Sequence, residues 1–345
     1  MPLDILVILK MKVLTLLLLL IPTVLSIDCC FELSIDYVGN DLTEWVTTPN
    51  SQACQASCQT VDGCEFWSWN PASNSNACWR KFSKAGARYR GEYISGPKYC
   101  PDSIPDPRQL RVMSYNMLGD QALNDPYRRG NICTIIRTWL PDLLGGQESR
   151  DNLPIGEGYA STGGAGGHNI IYRTSSMELN GYGYVDLTPN DKWGIRSVEW
   201  AHFTHRATGT LVDHFNTHFC GCADDGRCCG QEAQYQSAKE VEQVIVEHRR
   251  VGSLIVLTGD LNVQDGYEYS KAVRYLKGEI DSPPVPLQDT FRANGNNADG
   301  TTYPGQGKID YIFASPEYSV DGAYIDREDY GAASDHWPIV ANIVL

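Results

Sequence analysis

Residues 253–263 read "SLIVLTGDLNV". Four consecutive aliphatic residues, Leu254 to Leu257, describe a buried strand, and the run then stops at Gly259, Asp260, Leu261 and Asn262. Side chains on a strand alternate, so Asp260 and Asn262 point the same way if the extended geometry persists. Gly259 lets the backbone turn or approach a ligand closely. Two readings are open here. One is a polar site at the mouth of a sheet; the other is an ordinary turn, since Gly, Asp and Asn are the residues that turns favour.

The same event recurs along the second half of the chain. Strand-like runs fall at "LRVMSYNML", "DLLGGQE", "NIIYR", "VEWAHFTHR", "TLVDHFNTHF", "SLIVLTGD", "IDYIFAS" and "PIVANIVL", with helical patterns over 128–140 and 231–250. In the second helix Ala238, Val241, Ile245 and His248 share one stripe, and His248 sits where a cation meets the helix dipole favourably. Many strands with few helices describe an α/β layered sandwich. These apolar runs keep ending in an acid, an amide or an imidazole: Asn116, Glu148, Asn216 with His218, Asp260 with Asn262, Asp310, and Asp335 with His336. A lone strand-end carboxylate is usually a cap or a solvated turn. Six such ends in one domain point to a shared site, because sheet sites gather residues from several strand ends. Oxygen ligands without thiolates suit Mg²⁺, Mn²⁺ or Ca²⁺. Two histidines beside carboxylates offer a general base and a donor to an oxyanion. No Walker-type loop and no G-x-S-x-G elbow is present, so hydrolysis by an activated water fits best.

The surroundings of this region bound its setting. Residues 1–26 carry two lysines and then the apolar stretch Val13–Leu25, too short to cross a bilayer comfortably, which describes a secretory signal peptide and a secreted protein. Twelve cysteines agree with an oxidising compartment. Seven lie between Cys29 and Cys100, four (Cys220, Cys222, Cys228, Cys229) crowd one loop, and Cys133 stands alone. The four loop cysteines are read as two disulfides with three connectivities open, and Cys133 as a partner for the spare N-terminal cysteine that would tie two modules together. The net charge is −14, of which −13 falls on residues 101–345; this excludes a generic polyanion binder but not an enzyme whose cations mask its site. The proline-rich "CPDSIPDPRQL" marks a linker over 101–108 between a module at 27–100 and a domain at 109–345. So small a first module needs covalent staples.

The ordered set of strand-end "N", then "QE", "NTH", "GDLN", "IDYI" and "SDH" resembles the endonuclease/exonuclease/phosphatase superfamily, which includes deoxyribonuclease I, abasic-site endonucleases, neutral sphingomyelinases and inositol-polyphosphate 5-phosphatases. The resemblance spans 108–345. It implies a four-layer α/β sandwich of two largely antiparallel sheets with a divalent-metal site at one edge. It implies that Glu148 binds the metal with Asn116 close by and Asp335 as a further ligand. His336 would be the general base, Asp310 would orient it, and His218 would hydrogen-bond the scissile phosphate. Asp260 would position water or the leaving oxygen, and Asn262 would donate to phosphate. A phosphate-ester substrate follows, phosphodiesters such as DNA ahead of phosphomonoesters, with sphingomyelinase-like or sugar-phosphatase activity as the alternative.

Asn216 has the plainer reading of fixing the loop that carries His218. His202, His205 and His214 read as surface or hydrogen-bonded residues, and His168 as part of a flexible loop. Tyr172, Trp193 and Trp337 are open between base stacking and core, with Trp337 assigned to the core.

Residues 27–100 resemble the PAN/apple family in their paired helix cysteines, the aromatic "FWSW" and the closing "SG…C". That likeness implies Cys54–Cys78 and Cys58–Cys64 bridges, Cys100 closing onto Cys30 or Cys29, and a protein or carbohydrate ligand. A purely adhesive protein acting through this module is the non-enzymatic alternative.

Overall fold

The computed structural model describes residues 31–71, 75–98, 106–119, 126–149, 158–163, 169–190, 194–221, 229–266, 270–296, 300–327 and 333–345. The expected signal peptide, most of the expected linker, Cys222, Cys228, Trp193 and His168 lie outside these residues, as do Cys29, Cys30 and Cys100.

The N-terminal part is a five-stranded antiparallel sheet built from β1 (Glu32–Tyr37), β2 (Val46–Thr47), β3 (Phe66–Asn70), β4 (Ala77–Lys81) and β5 (Ala87–Pro97), with helix α1 (Ser51–Gln59) against it. Asn50 caps α1 by accepting a hydrogen bond from the Ala53 amide at 2.8 Å, which satisfies one of the orphan donors of the first turn. Cys54 and Cys58, one turn apart on the buried face, form the Cys54–Cys78 and Cys58–Cys64 bridges that the family likeness implied. They pack with Phe31, Trp67 and Trp69 into a small core.

The rest is a layered α/β sandwich. In chain order it comprises β6 (Gln109–Asn116), α2 (Pro126–Trp139), β7 (Leu143–Gln147), β8 (Tyr159–Ser161), β9 (Asn169–Arg173), β10 (Met177–Asp186), β11 (Ser197–His205), β12 (Leu211–His218), α3 (Gln231–His248), β13 (Leu254–Asp260), α4 (Lys271–Leu276), β14 (Gln288–Asp289), α5 (Thr290–Ala293), β15 (Asp310–Ala314), β16 (Val320–Ile325) and β17 (Ile339–Val344). Among the described residues these form two six-stranded sheets, ordered β16-β17-β6-β7-β9-β8 and β10-β11-β12-β13-β15-β14. Pairing is antiparallel except for β6 with β7 and β12 with β13. One apolar cluster lies between the sheets, with Leu110, Val112 and Ile339 from the first facing Phe203, Val212 and Val256 of the second. A second cluster joins β13 and β15 to α3 and α4, and a third joins the first sheet to α2. The order is therefore helix, sheet, sheet, helix.

Strand β13 shows how sequence dictates this. Leu254 and Val256 belong to the inter-sheet cluster, Ile255 and Leu257 to the helix-side cluster, so all four aliphatic residues are buried and the strand needs no polar face. Burial of each such side chain stabilises by roughly 1.5–3 kcal/mol relative to exposure.

Three expectations change. Cys133 is a free, buried thiol, which corrects the cross-module bridge: α2 turns Ile132, Cys133, Ile135 and Ile136 into the core against the first sheet. The modules meet through packing instead, with α2 against β1 and β5; a Cβ added at Gly130 would lie 3.1 Å from Tyr89 and 3.3 Å from Ile35. Trp337 is half-buried rather than core, with the Arg327 guanidinium 5.4 Å over its ring. The extended geometry also does not persist past Asp260, because Asn262 is left-handed at φ +52°. Tyr172 is partly buried and packs on Phe203 at 5.1 Å beside the inter-sheet core. His248 ends α3 with its ring stacked on Trp200 at 4.3 Å.

Candidate active site

Register brings the polar strand ends to one edge of the sandwich. On the second sheet His218 lies opposite Asp260 and Asp260 opposite Asp310. On the first, Asn116 lies opposite Gln147, which puts Glu148 one residue beyond, and His336 precedes β17. The site is thus divided between two sheets and closed by hydrogen bonds across them. Asn116 donates from Nδ2 to Asp260 Oδ2 at 3.0 Å and to Glu148 Oε1 at 3.2 Å. His336 Nδ1 lies 2.9 Å from Asp310 Oδ2. His336 Nε2 lies 3.8 Å and His218 Nε2 3.4 Å from Asp260 Oδ2. Asn262 completes the group, with its backbone amide donating to Asp260 Oδ1 at 2.9 Å and its side chain 3.1 Å from His218 Nε2.

"GDLN" is therefore both a turn, closed by the Asp260 carboxylate, and one wall of the polar cluster. Left-handed backbone recurs here at Leu118 (φ +48°), Glu148 (φ +50°) and Asn262. Only Asn tolerates that region readily, and such conformations cluster where the surroundings fix a functional geometry. Gly119 is needed beside Glu148: a Cβ there would sit 2.9 Å from the Glu148 carbonyl oxygen, while its amide donates to Glu148 Oε2 at 3.1 Å.

Beneath the cluster lies a second cross-sheet tie. Asn216 is fully buried; its Oδ1 accepts from Gln147 Nε2 at 2.7 Å and from Thr258 Oγ1 at 3.0 Å, and its Nδ2 donates to the Gly146 carbonyl at 3.0 Å. Asn216 thus fixes the strands on which His218 and Glu148 sit, in keeping with its plainer sequence reading. His205 and His214 are buried and hydrogen-bonded to Thr208 and Thr258.

The charges are unusual. Burial, with the charge of Asp310, pushes the Asp260 carboxyl well above the ordinary range. Burial would lower His336, but Asp310, Asp260 and Asp335 outweigh it and raise the imidazole. Asp310 Oδ1 is buried and has no hydrogen-bond partner among the described residues. Asp260, Asp310 and His336 offer one donor each within 4.8 Å of one another. Buried carboxylates held at close range, with an unsatisfied oxygen among them, suit a divalent cation, so the donor set fits one. Asp335 is exposed at the rim, and its charge acts on His336.

Four neighbours escaped the sequence reading. Arg196, buried ahead of β11, places Nη1 3.0 Å from His218 Nδ1. Tyr303 sets its ring against His336 at 4.7 Å. Thr302 Oγ1 accepts from the Ile309 and Asp310 amides, each at 3.1 Å. Ser334 Oγ donates to the Asn116 carbonyl at 2.7 Å. All come from loops, and only "NTH" and "SDH" hinted at the partners they serve.

The family model of the endonuclease/exonuclease/phosphatase family matches residues 113–336, and the chain belongs to that family. A PAN domain model matches residues 35–81. Among solved structures, an endonuclease/exonuclease/phosphatase from Bacteroides vulgatus is 26% identical with a TM-score of 0.55, over 69% of this chain and 99% of that one. The human Nocturnin catalytic domain with bound sulfate anion is 18% identical, TM-score 0.54, over 68% and 94%. D. rerio TDP2 complexed with single strand DNA product is 17% identical, TM-score 0.54, over 68% and 98%. At those identities the last two speak to the fold alone. No curated protein sequence matches the chain. The bridges and the PAN match suggest an extracellular protein, and no described helix is long and apolar enough to cross a membrane.

Proposed function

We propose that the chain is a secreted, divalent-metal-dependent phosphoesterase that hydrolyses phosphodiester bonds, with DNA as the substrate to test first. The observation that carries this is the meeting of buried Asp260, Asp310 and His336 with Asn116 and Glu148 across the sheet edges. Glu148, with Asn116 beside it and Asp335 at the rim, would hold the ion, Mg²⁺ or the similarly oxygen-loving Mn²⁺ or Ca²⁺. Such a cation would polarise the phosphate, acidify bound water and offset the carboxylate charge that raises His336.

In this scheme His336 Nε2 takes the proton of the attacking water while Asp310 accepts from Nδ1–H, fixing the tautomer and stabilising the imidazolium. The water oxygen attacks phosphorus and the ester oxygen leaves. His218 Nε2 and the Asn262 amide donate to non-bridging oxygens, where charge develops. Asp260 positions the water or the leaving oxygen. Residues 1–26 are the signal peptide, 27–100 the PAN-like module, 101–108 the linker and 109–345 the catalytic domain in the same proposal; the first module recruits a protein or carbohydrate ligand and takes no part in the chemistry.

Nicking of supercoiled plasmid by the intact, disulfide-bonded protein tests this, run with Mg²⁺, with chelator and with His336→Ala. The expected result is nicking that needs metal and His336. Absence of nicking, with turnover of a phospholipid or sugar phosphate, overturns DNA as substrate. Absence of turnover on all three classes overturns the phosphoesterase reading.

A further inference from the structure

We propose that Arg196 is a positioning residue that holds His218 in the neutral tautomer whose proton sits on Nε2; its place in catalysis rests on the phosphoesterase reading above. Arg196 Nη1 lies 3.0 Å from His218 Nδ1, and both side chains are buried. A guanidinium has five N–H donors, no acceptor, and does not deprotonate in proteins. The nitrogen facing it must therefore offer a lone pair, which puts the imidazole proton on Nε2. That nitrogen lies 3.4 Å from Asp260 Oδ2. Asn262 Nδ2, 3.1 Å from the same nitrogen and donating to the Phe219 carbonyl at 3.1 Å, has no lone pair to accept that proton, so Asp260 Oδ2 is the acceptor beside it.

The two histidines of the site are thus sorted by what stands behind them. His336 has a carboxylate at Nδ1, which keeps a proton there, so that the lone pair of its neutral form falls on Nε2. His218 has an arginine at Nδ1, which does the reverse and leaves Nε2 a donor. Exchange of a proton at His218 would bring an N–H against the guanidinium N–H, so this ring donates to a phosphate oxygen without transferring its proton.

The test reads the tautomer directly, by long-range ¹H–¹⁵N correlation of the imidazole nitrogens in the intact, metal-free protein, with His218→Asn identifying the signal. The expected spectrum shows an unprotonated Nδ1 and a protonated Nε2 at His218. A protonated Nδ1 in the wild-type protein overturns the proposal without recourse to any variant. Arg196→Lys, which still donates, keeps the tautomer; Arg196→Met releases it and lowers kcat toward the roughly 10²–10³-fold cost of losing an oxyanion donor. An unchanged tautomer in a folded Arg196→Met protein also overturns it. Should the tautomer be as assigned while no phosphate ester is hydrolysed, the phosphoesterase reading falls and the arginine–histidine assignment stands.

Discussion

His214 offers a quantitative test of the inter-sheet layer. It is fully buried on β12, its Nε2 2.9 Å from Thr258 Oγ1, and its Nδ1 is buried without a hydrogen-bond partner among the described residues. Burial lowers its pKa from 6.5 to about 3. The folded state therefore binds the proton less readily than the unfolded state, and stability must fall as pH drops below about 6.5, continuing until pH reaches the folded value. At about 1.36 kcal/mol per unit, the loss between pH 7 and pH 5 is about 2 kcal/mol, and about 0.7 kcal/mol of it appears by pH 6. Asp260, raised to about 7 in the folded state, changes stability in the opposite sense over the same range, and His336, raised to about 10, does so chiefly above pH 6.5, so the protein alone does not reveal the effect. His214→Gln keeps a polar end near Thr258 and removes the titration. The assay is urea unfolding of both proteins at pH 7, 6 and 5 with disulfides intact, and the quantity is their difference in stability. That difference should shift by about 2 kcal/mol in favour of the variant at pH 5. A difference independent of pH would refute the reasoning.

Other substitutions probe other links. Gly145→Ala places a Cβ 1.8 Å from Thr258 Oγ1 and 2.5 Å from Asn216 Oδ1, and should destabilise by about 1–3 kcal/mol or more in the same denaturation assay. Asp310→Asn removes the charge behind His336 and should lower kcat by about 10²-fold or more while the circular dichroism spectrum is unchanged. Cys133, buried and pushed up to about 11, should resist maleimide in the native protein and react on unfolding; rapid native labelling would contradict its burial.

The strands that carry the site were legible because each pairs an aliphatic run with a polar end, and burial of the run leaves its end little freedom. What escaped notice follows a different rule. β10, "MELNGYGYVD", is an edge strand with exposed Tyr182 and Tyr184, so it lacks the apolar signature; β16, "VDGAYI", carries an Asp-Gly pair that reads as a turn. Gly145 looks like punctuation in sequence and is strand interior in the fold, small because Thr258 and Asn216 of the other sheet need the room. Arg196 stands 22 residues from His218, and nothing local announces that β11 lies alongside β12. The individual donors are written in the strand ends, whereas the contacts that assign their roles depend on how the two sheets stack. Motif likeness supplied the implied roles of Glu148 and His336, which periodicity cannot.

That stacking has a mechanical consequence. Asn116 and His336 ride on one sheet, Asp260 and Asp310 on the other, and the Gln147–Asn216 contact is a pin between the two plates. A slip of one residue along a strand, about 3.3 Å, would leave the hydrogen bonding within each plate unchanged and still pull every cross-plate hydrogen bond out of reach. Turnover is thus a shear gauge for the sandwich. Conditions that loosen the plates should silence the enzyme while its secondary structure remains intact, and inactivation need not wait for unfolding.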